Sequence, residues 1–200
     1  MEDMIDSLNK NPHEQFIQWR EKAQKMGLSE IDVVTVATVC KENKPHARVM
    51  LYKGLIEEKF SLYTNYDSNK AIQMAANPHV ALSFYWYLPL GYQVRVGGRV
   101  EKMSREQSEA YFMSRPRGSR LSAWASEQSS PLVSREELEA KISEVAERFE
   151  GKDVPCPENW GGYLLTANYF EFMVLDMKRA HDRFSYTKDS GGWKIQRLAP

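Results

Sequence analysis

Apolar residues along the chain first recur at helical spacing and then, past Gly27, gather into runs of the kind that form strands. Phe16, Trp19, Ala23 and Met26 stand three or four apart, the stripe of a helix that docks one face on a core. Asn11-Pro12-His13-Glu14 supplies an N-cap, a proline at the first helical position and an acid in the first turn, and Gly27 ends the stripe, so a helix of about 15 residues is predicted. The segment Val33 to Cys40 is instead rich in β-branched residues and runs into the polar turn Lys41-Glu42-Asn43-Lys44-Pro45, the pattern of a hairpin whose second strand is His46 to Tyr52. Further strands are predicted at Phe60 to Asn65, His79 to Tyr87 and Tyr92 to Lys102, with a short helix from Ser68 that ends before Asn77-Pro78. Five strands in about 70 residues, with one short helix among them, predict antiparallel neighbours in a barrel or sandwich rather than βαβ crossovers.

Ser104-Arg105-Glu106-Gln107 and Ser134-Arg135-Glu136-Glu137 both match the capping box, and each opens a helix of about 10 to 16 residues. A basic, serine-rich segment separates them. Lys152 to Asn159 reads as a loop, strands follow at Gly162 to Thr166, Tyr169 to Val174 and Arg183 to Thr187, and Asp189-Ser190-Gly191-Gly192 turns the chain into a last strand, Trp193 to Leu198. No internal repeat or low-complexity tract marks a boundary, so residues 1–200 are expected to form a single domain of mainly β, α+β class, with residues 1–10 as a mobile N-terminus.

Composition narrows the classes of function. Twenty-seven Lys and Arg balance 27 Asp and Glu among 200 residues, so no global field favours nucleic acid or anionic lipid, and any anion site must be local. Apolar residues at 42% and charged residues at 27% belong to an ordered globular chain. Cys40 and Cys156 are too few for a disulfide framework and lack the paired spacing of a structural zinc site, which points to a reducing, cytoplasmic setting. Met1 to Lys10 has neither a basic n-region nor an apolar h-region, so no secretory signal is expected there. The most apolar stretch, Val80 to Leu90, is about half the length needed to cross a bilayer and is broken by Ser83 and Pro89.

Residues that carry chemistry fall into a few groups. Arg48 and Lys53 stand five apart on one predicted strand, on opposite faces if it is regular, and suit a bound anion or plain solvent equally. Lys70 lies in the first turn of the helix that starts at Ser68, where free backbone N–H groups favour phosphate. Tyr111, Arg115, Arg117, Ser119 and Arg120 surround Pro116 with cations and hydroxyls, which makes either a phosphate-binding corner or a polar helix end. Gln93 and Gln128-Ser129 add neutral hydrogen-bonding groups of the kind that read the edge of a heterocycle. In Arg179-Ala180-His181-Asp182-Arg183 an extended backbone would put Arg179, His181 and Arg183 on one face. An imidazole between two guanidiniums is biased toward its neutral form and suits an anionic or phenolic ligand; the alternative is a charged edge strand that resists aggregation.

No GxSxG, Walker loop, GxGxxG after a strand or HExxH occurs, so hydrolase, nucleoside-triphosphatase, Rossmann and zincin readings have no sequence support. His13, His46, His79 and His181 are too scattered to form a metal site, and basic residues interleave too sparsely with aromatics for a nucleic-acid platform.

Taken in order, Arg48-Val49-Met50-Leu51-Tyr52-Lys53, Tyr63-Thr64-Asn65, Tyr111-Phe112-Met113-Ser114-Arg115-Pro116-Arg117 and Trp124-Ala125-Ser126-Glu127-Gln128-Ser129-Ser130 resemble the pyridoxine (pyridoxamine) 5′-phosphate oxidase family. Trp160-Gly161-Gly162-Tyr163, His181-Asp182-Arg183, Trp193-Lys194-Ile195 and the terminal Arg197-Leu198-Ala199-Pro200 extend the resemblance over nearly the whole chain. It implies an antiparallel split β-barrel with peripheral helices that binds FMN, in a homodimer whose FMN sites lie at the subunit interface. By the same resemblance Arg48 and Lys70 hold the FMN phosphate, Val49, Met50, Leu51, Lys53, Tyr63 and Thr64 line the flavin, and Gln93, Gln128, Ser129 and Arg183 complete its site. Lys53, Tyr111, Arg115 and Ser119 are implied to bind the substrate phosphate, and Arg179 and His181 to act on the pyridine ring as the catalytic pair. The implied reaction oxidises pyridoxamine or pyridoxine 5′-phosphate with O2 to pyridoxal 5′-phosphate and releases H2O2.

Three segments depart from the family pattern. Asn69 replaces an Arg in Ser68-Asn69-Lys70, which predicts weaker FMN binding because a bidentate guanidinium is lost. Glu171-Phe172-Met173-Val174-Leu175 stands where the family has Glu-Phe-Trp-Gln-Gly, losing an indole against the flavin, and Ala180 replaces a Leu between Arg179 and His181. Two other readings therefore stay open: a flavin oxidase of another ring, as in phenazine biosynthesis, and a non-catalytic binder of FMN or pyridoxal 5′-phosphate.

Overall fold

In a computed structural model, which describes residues 4–200, the N-terminal stripe forms α1 (Pro12–Lys25). The Asn11 side chain accepts the His13 N–H at 2.9 Å, as an N-cap should, and Gly27 takes the left-handed φ of +86° just past the helix. Phe16, Trp19 and Ala23 are buried, and Phe16 is ringed by Tyr52, Phe60, Phe84 and Trp86. Full burial of such a ring contributes roughly 2 to 3 kcal/mol. Met26, expected on the same stripe, is half exposed because it is already the C-cap, where the helical face has ended.

The strands are β1 (Val33–Val39), β2 (Pro45–Leu51), β3 (Leu55–Ile56), β4 (Lys59–Asn65), β5 (His79–Trp86), β6 (Tyr92–Lys102), β7 (Trp160–Val174), β8 (Asp182–Asp189) and β9 (Gly192–Leu198). All pairs are antiparallel, in the order β2-β1-β5-β6-β7-β4-β3, with β8 and β9 added beside the second half of β7. The two strands predicted over 162–166 and 169–174 are one strand, interrupted by a bulge that leaves Asn168 unpaired between Gly98↔Ala167 and Gly97↔Tyr169. Gly98 allows this close approach, since a Cβ there would collide with the Thr166 carbonyl. β3 escapes sequence reading because two residues have no period.

The sheet curls toward closure without reaching it. Lys53 N–H donates to Ser61 O and Ser61 N–H to Gly54 O, both at 3.0 Å, yet β2 and β4 themselves do not pair, so the barrel is split between them. Alternate residues of the strands, among them Val36, Leu82, Phe84, Val96 and Phe170, fill the inside.

Four further helices, α2 (Asn69–Ala76), α3 (Arg105–Ser114), α4 (Arg117–Ala125) and α5 (Arg135–Arg148), cover the opening and one flank, and a second buried cluster of Phe112, Phe149, Val154, Cys156 and Trp160 lies beneath them. α4 was not predicted; it is short, and its N-cap is Pro116 with no side-chain cap bond. Ser104 and Gln107 form the reciprocal capping box. Ser134 forms only half of one, because the Glu137 carboxylate accepts the Val133 N–H instead of closing back on Ser134.

Residues 179–181 are not extended. Arg179 has φ +63°, its N–H donates to Asp176 O, and β8 starts only at Asp182, so Arg179, His181 and Arg183 do not share a strand face as expected. Of the first ten residues, expected to be mobile, Met1 to Asp3 lie outside the described residues, Leu8 packs on the core and Asn9 O accepts the Tyr186 hydroxyl at 2.8 Å. Among the described residues no helix is long and apolar enough to cross a membrane.

Candidate functional site

A cleft of about 1250 Å³ lies at the split in the barrel, lined by β2, by β4, by the first turn of α2, by the α3–α4 corner and by residues 126–129. Its walls hold four fixed cations, Arg48, Lys53, Lys70 and Arg115, and no Asp or Glu. In a chain with equal numbers of acids and bases, that segregation makes a local anion site.

Strand alternation puts Arg48 on the inner face of β2, opposite Val36. Its guanidinium donates to Thr38 Oγ1 at 2.6 Å, Val36 O at 3.1 Å and Gln73 Oε1 at 3.0 Å, all neutral acceptors that orient the charge without cancelling it. Lys70 Nζ donates to Gln128 Oε1 at 3.1 Å and Thr64 Oγ1 at 3.3 Å, and the Asn69 N–H reaches Ser129 Oγ at 3.3 Å. Burial lowers the pKa of Arg48, and burial followed by the nearby Arg48 charge lowers that of Lys70. A bound dianion would relieve both. Lys53 joins them although the strand period predicted the opposite face: β2 ends at Leu51, Tyr52 bonds to Asp32, and Lys53 bonds across to Ser61, so the alternation no longer applies.

The other wall is aromatic. Tyr63 and Tyr111 stack with centroids 3.7 Å apart, and burial, with Tyr111 adding to it, pushes the Tyr63 hydroxyl up to about 12. Arg115, the C-cap of α3, places Cζ 4.7 Å from the Trp160 ring, and its Nη1 is buried with no partner among the described residues. Burial lowers its pKa as well. Ser119 and Gly118, on the first turn of α4, complete this corner. Arg117 and Arg120 do not line the cleft as proposed for the corner: Arg117 donates to Phe149 O at 2.6 Å and Lys152 O at 2.7 Å, tying down the loop after α5, and Arg120 Nη1 lies 3.7 Å from Met113 Sδ. Gln73 and Trp160 were not singled out by sequence as site residues. Gln73 follows Lys70 by three positions on α2, the one local signal available for it.

Gln93, Arg179, His181 and Arg183 are not among the cleft residues; register gives the reason for Gln93 and Arg183, while Arg179 and His181 lie in the turn before β8. Gln93 stands between Tyr85 and Met173, and Met173 is opposite Arg183, all on the outer face of the sheet; Arg48 and Val36 belong to the inner face. Buried Glu171 holds the outer group together: Arg183 donates to Oε1 through Nε at 3.0 Å and Nη2 at 2.9 Å, while Arg95 and the Tyr169 hydroxyl donate to Oε2 at 3.0 and 2.9 Å. His181 Nδ1 accepts the Asp176 N–H at 3.0 Å, which leaves the ring proton on Nε2. One chain thus presents candidate groups on two faces of one sheet: at the edge strand β2 both faces reach the cleft, through Arg48 and Met50 on one side and Val49 and Leu51 on the other, whereas Gln93 and Arg183, on interior strands, do not line it. Val49 and Leu51, 65% and 52% exposed beside Thr35 and Val33, are apolar residues of the same outer face.

The donor set fits a flavin phosphate: two oriented cations, first-turn backbone N–H groups and no competing carboxylate stand at the α2 end of a cleft large enough for a ring system.

Comparison with known proteins bears on the family and the fold. The sequence profile described as pyridoxamine 5′-phosphate oxidase matches residues 20–149, and that of the pyridoxine 5′-phosphate oxidase C-terminal dimerisation region matches residues 160–200, which indicates a homodimer. The chain is 48% identical over 196 residues to a pyridoxine/pyridoxamine 5′-phosphate oxidase of Burkholderia mallei, covering 96% of this chain and 91% of that one. The protein of the same name from Burkholderia vietnamiensis is 48% identical over 193 residues, covering 95% and 89%. Among solved structures, PhzG from Burkholderia lata in complex with tetrahydrophenazine-1-carboxylic acid superposes with a TM-score of 0.92 at 23% identity, covering 100% of this chain and 98% of that one. A pyridoxamine 5′-phosphate oxidase-related, FMN-binding protein from Nostoc punctiforme gives 0.76 at 17% identity, covering 95% and 98%. At those identities the two structures speak for the fold alone. Two profiles that together span most of the sequence, and relatives at 48% identity over almost all of it, show that the chain belongs to the pyridoxamine 5′-phosphate oxidase family, whose cofactor is FMN.

Proposed function

We propose that the protein is an FMN-dependent oxidase of pyridoxine and pyridoxamine 5′-phosphates, yielding pyridoxal 5′-phosphate and H2O2 in the cell's cytoplasm, with water consumed and ammonia released when the substrate is the amine. The observation that carries this reading is the carboxylate-free cleft with two separate donor groups, Arg48 with Lys70 and Arg115 with Tyr111 and Ser119, which suits two phosphates. Bound FMN supplies the hydride acceptor and the reaction with O2. Arg48, Lys70, Gln128 and Ser129 would hold its phosphate end, with Val49, Met50, Leu51, Tyr63 and Thr64 along the ring. Arg115, Tyr111, Ser119 and Lys53 would hold the substrate's phosphate, and because burial already disfavours the Arg115 cation, a dianion there gains what solvent does not give.

Gln93 and Arg183 would come from the second subunit, since their face of the sheet is turned away from their own chain's cleft, and Arg179 and His181, in the turn that leads into β8, would come with them. His181 would donate from Nε2 to the ring's phenolic oxygen, and Arg179 would position the C4′ substituent; holding the reacting carbon in place is the main part that protein groups play here.

Aerobic turnover of the FMN-reconstituted protein tests the proposal. Pyridoxine and pyridoxamine 5′-phosphates should each give aldehyde product and H2O2 in equal amounts. Flavin binding with no product from either would overturn it, and turnover of a tetrahydrophenazine carboxylate in the same assay would move the protein to the other ring substrate.

A further inference from the structure

We propose that Trp160 is a positioning residue for the substrate's phosphate: its indole face holds the Arg115 guanidinium beside the cleft without an ion pair or hydrogen bond that would offset its charge. The inference rests on the reading of Arg115 and Tyr111 as the substrate-phosphate clamp.

Trp160 is the first residue of β7, is 6% exposed, and sits where β4 and α3 meet. Its ring lies parallel to Tyr63 at 5.6 Å and 13° and to Tyr111 at 6.3 Å and 5°, meets Phe112 edge-on at 4.9 Å, and has Arg115 Cζ 4.7 Å from its centroid. The backbone that presents it is fastened from behind. Arg105 donates to Cys156 O at 2.6 Å, to Pro157 O at 2.8 Å and to Trp160 O at 3.4 Å, and the Trp160 N–H donates to Pro157 O at 3.1 Å.

The same molecule holds other arginines differently. Glu171 binds Arg183 and Arg95 through their N–H groups, which uses donors and offsets charge. Arg115 makes no ion pair and no side-chain hydrogen bond among the described residues, and its Nη1 is buried and unpartnered. An aromatic face attracts a cation through its quadrupole without offsetting its charge with a carboxylate, so the charge and the donors that face the cleft remain for an arriving oxyanion. The Tyr111 ring is held separately, stacked on Tyr63 at 3.7 Å, so the effect of Trp160 on the clamp runs through Arg115.

The test compares Trp160→Met, which fills space without a π face, with Trp160→Phe, which keeps a smaller one, in FMN-loaded enzyme. Trp160→Met should raise the KM for pyridoxine 5′-phosphate about tenfold and Trp160→Phe about threefold. For both, kcat and FMN affinity by flavin fluorescence should stay within about twofold, as positioning of a remote binding group requires. Pyridoxal 5′-phosphate should bind more weakly to both, and pyridoxal should bind unchanged. In an Arg115→Ala background Trp160→Met should add nothing to KM, because the two act as one unit. Should Trp160→Met lose its flavin or its thermal transition, Trp160→Phe decides alone, through its KM at unchanged melting temperature. The inference is overturned if Arg115→Ala raises KM while the Trp160 variants do not, or if the two effects add. An unchanged KM in Arg115→Ala would instead remove the clamp itself, and the role of Trp160 with it.

Discussion

Arg48 and Arg183 lie on opposite faces of one sheet, so each active site should be assembled from two chains, and two dead variants should rescue one another. Arg48→Ala removes a guanidinium of the inner face, and Arg183→Ala one of the outer face. Each homodimer then carries a lesion in both of its sites. In a heterodimer of the two variants, one site receives both lesions and the other receives none. Random reassortment of equal amounts puts about half of the molecules in heterodimers, each with one intact site, so about a quarter of wild-type turnover should return. Both variants would be expressed with different tags, mixed, dissociated and reassembled with FMN; native mass spectrometry counts the heterodimers, and aldehyde product with H2O2 measures turnover. Activity that stays at background while heterodimers form would mean that both arginines serve the same site from one chain, and the two-face argument would be wrong.

Other expectations follow from individual residues. His13 is buried among Phe60, Phe170 and Trp193 with Nε2 unpartnered, and burial lowers its pKa, against the opposing pull of Glu58 and Glu14 and with that of Lys188. A pKa lower in the folded state favours the neutral ring, so this stability is complete above about pH 6.5, the unfolded value, and is lost as pH falls from there through the lower folded-state value. Melting temperatures from pH 8 to pH 5 should therefore drop more for the wild type than for His13→Phe, and parallel curves would contradict the account. Gly98→Ala drives a methyl group into the Thr166 carbonyl at the β6–β7 bulge and should cost roughly 2 kcal/mol, read as a lower urea midpoint; an unchanged midpoint would show that the bulge relaxes freely. Glu171→Gln leaves Arg95 and Arg183 without their shared carboxylate. With both guanidiniums partly solvated, a loss of about 2 kcal/mol is expected rather than the full penalty of a broken buried pair, together with weaker FMN binding in a fluorescence titration.

Local chemistry along the chain was enough to specify α1 with its Asn11 cap, the β1–β2 hairpin, the Ser104 capping box and the alternation that buries Val34, Leu82 and Phe84, because caps and periods act over a few residues. Candidate site residues were legible as residue types, and the family could be recognised from ordered motifs. What each cation does was decided by tertiary structure. Arg115, Arg117 and Arg120 look equivalent in sequence, yet only Arg115 reaches the cleft, since Arg117 faces the loop carbonyls of Phe149 and Lys152. Lys53 shares a cleft with Arg48 only because β2 ends at Leu51 and the chain crosses to β4, a long-range pairing that no period of two contains. Gln93 and Arg183 become neighbours through Met173 on a third strand, and their separation from Arg48 by the thickness of a sheet depends on which strands pair and in what register. Periodicity says which residues share a face; only the assembled sheet determines which face meets the ligand and which meets the second subunit.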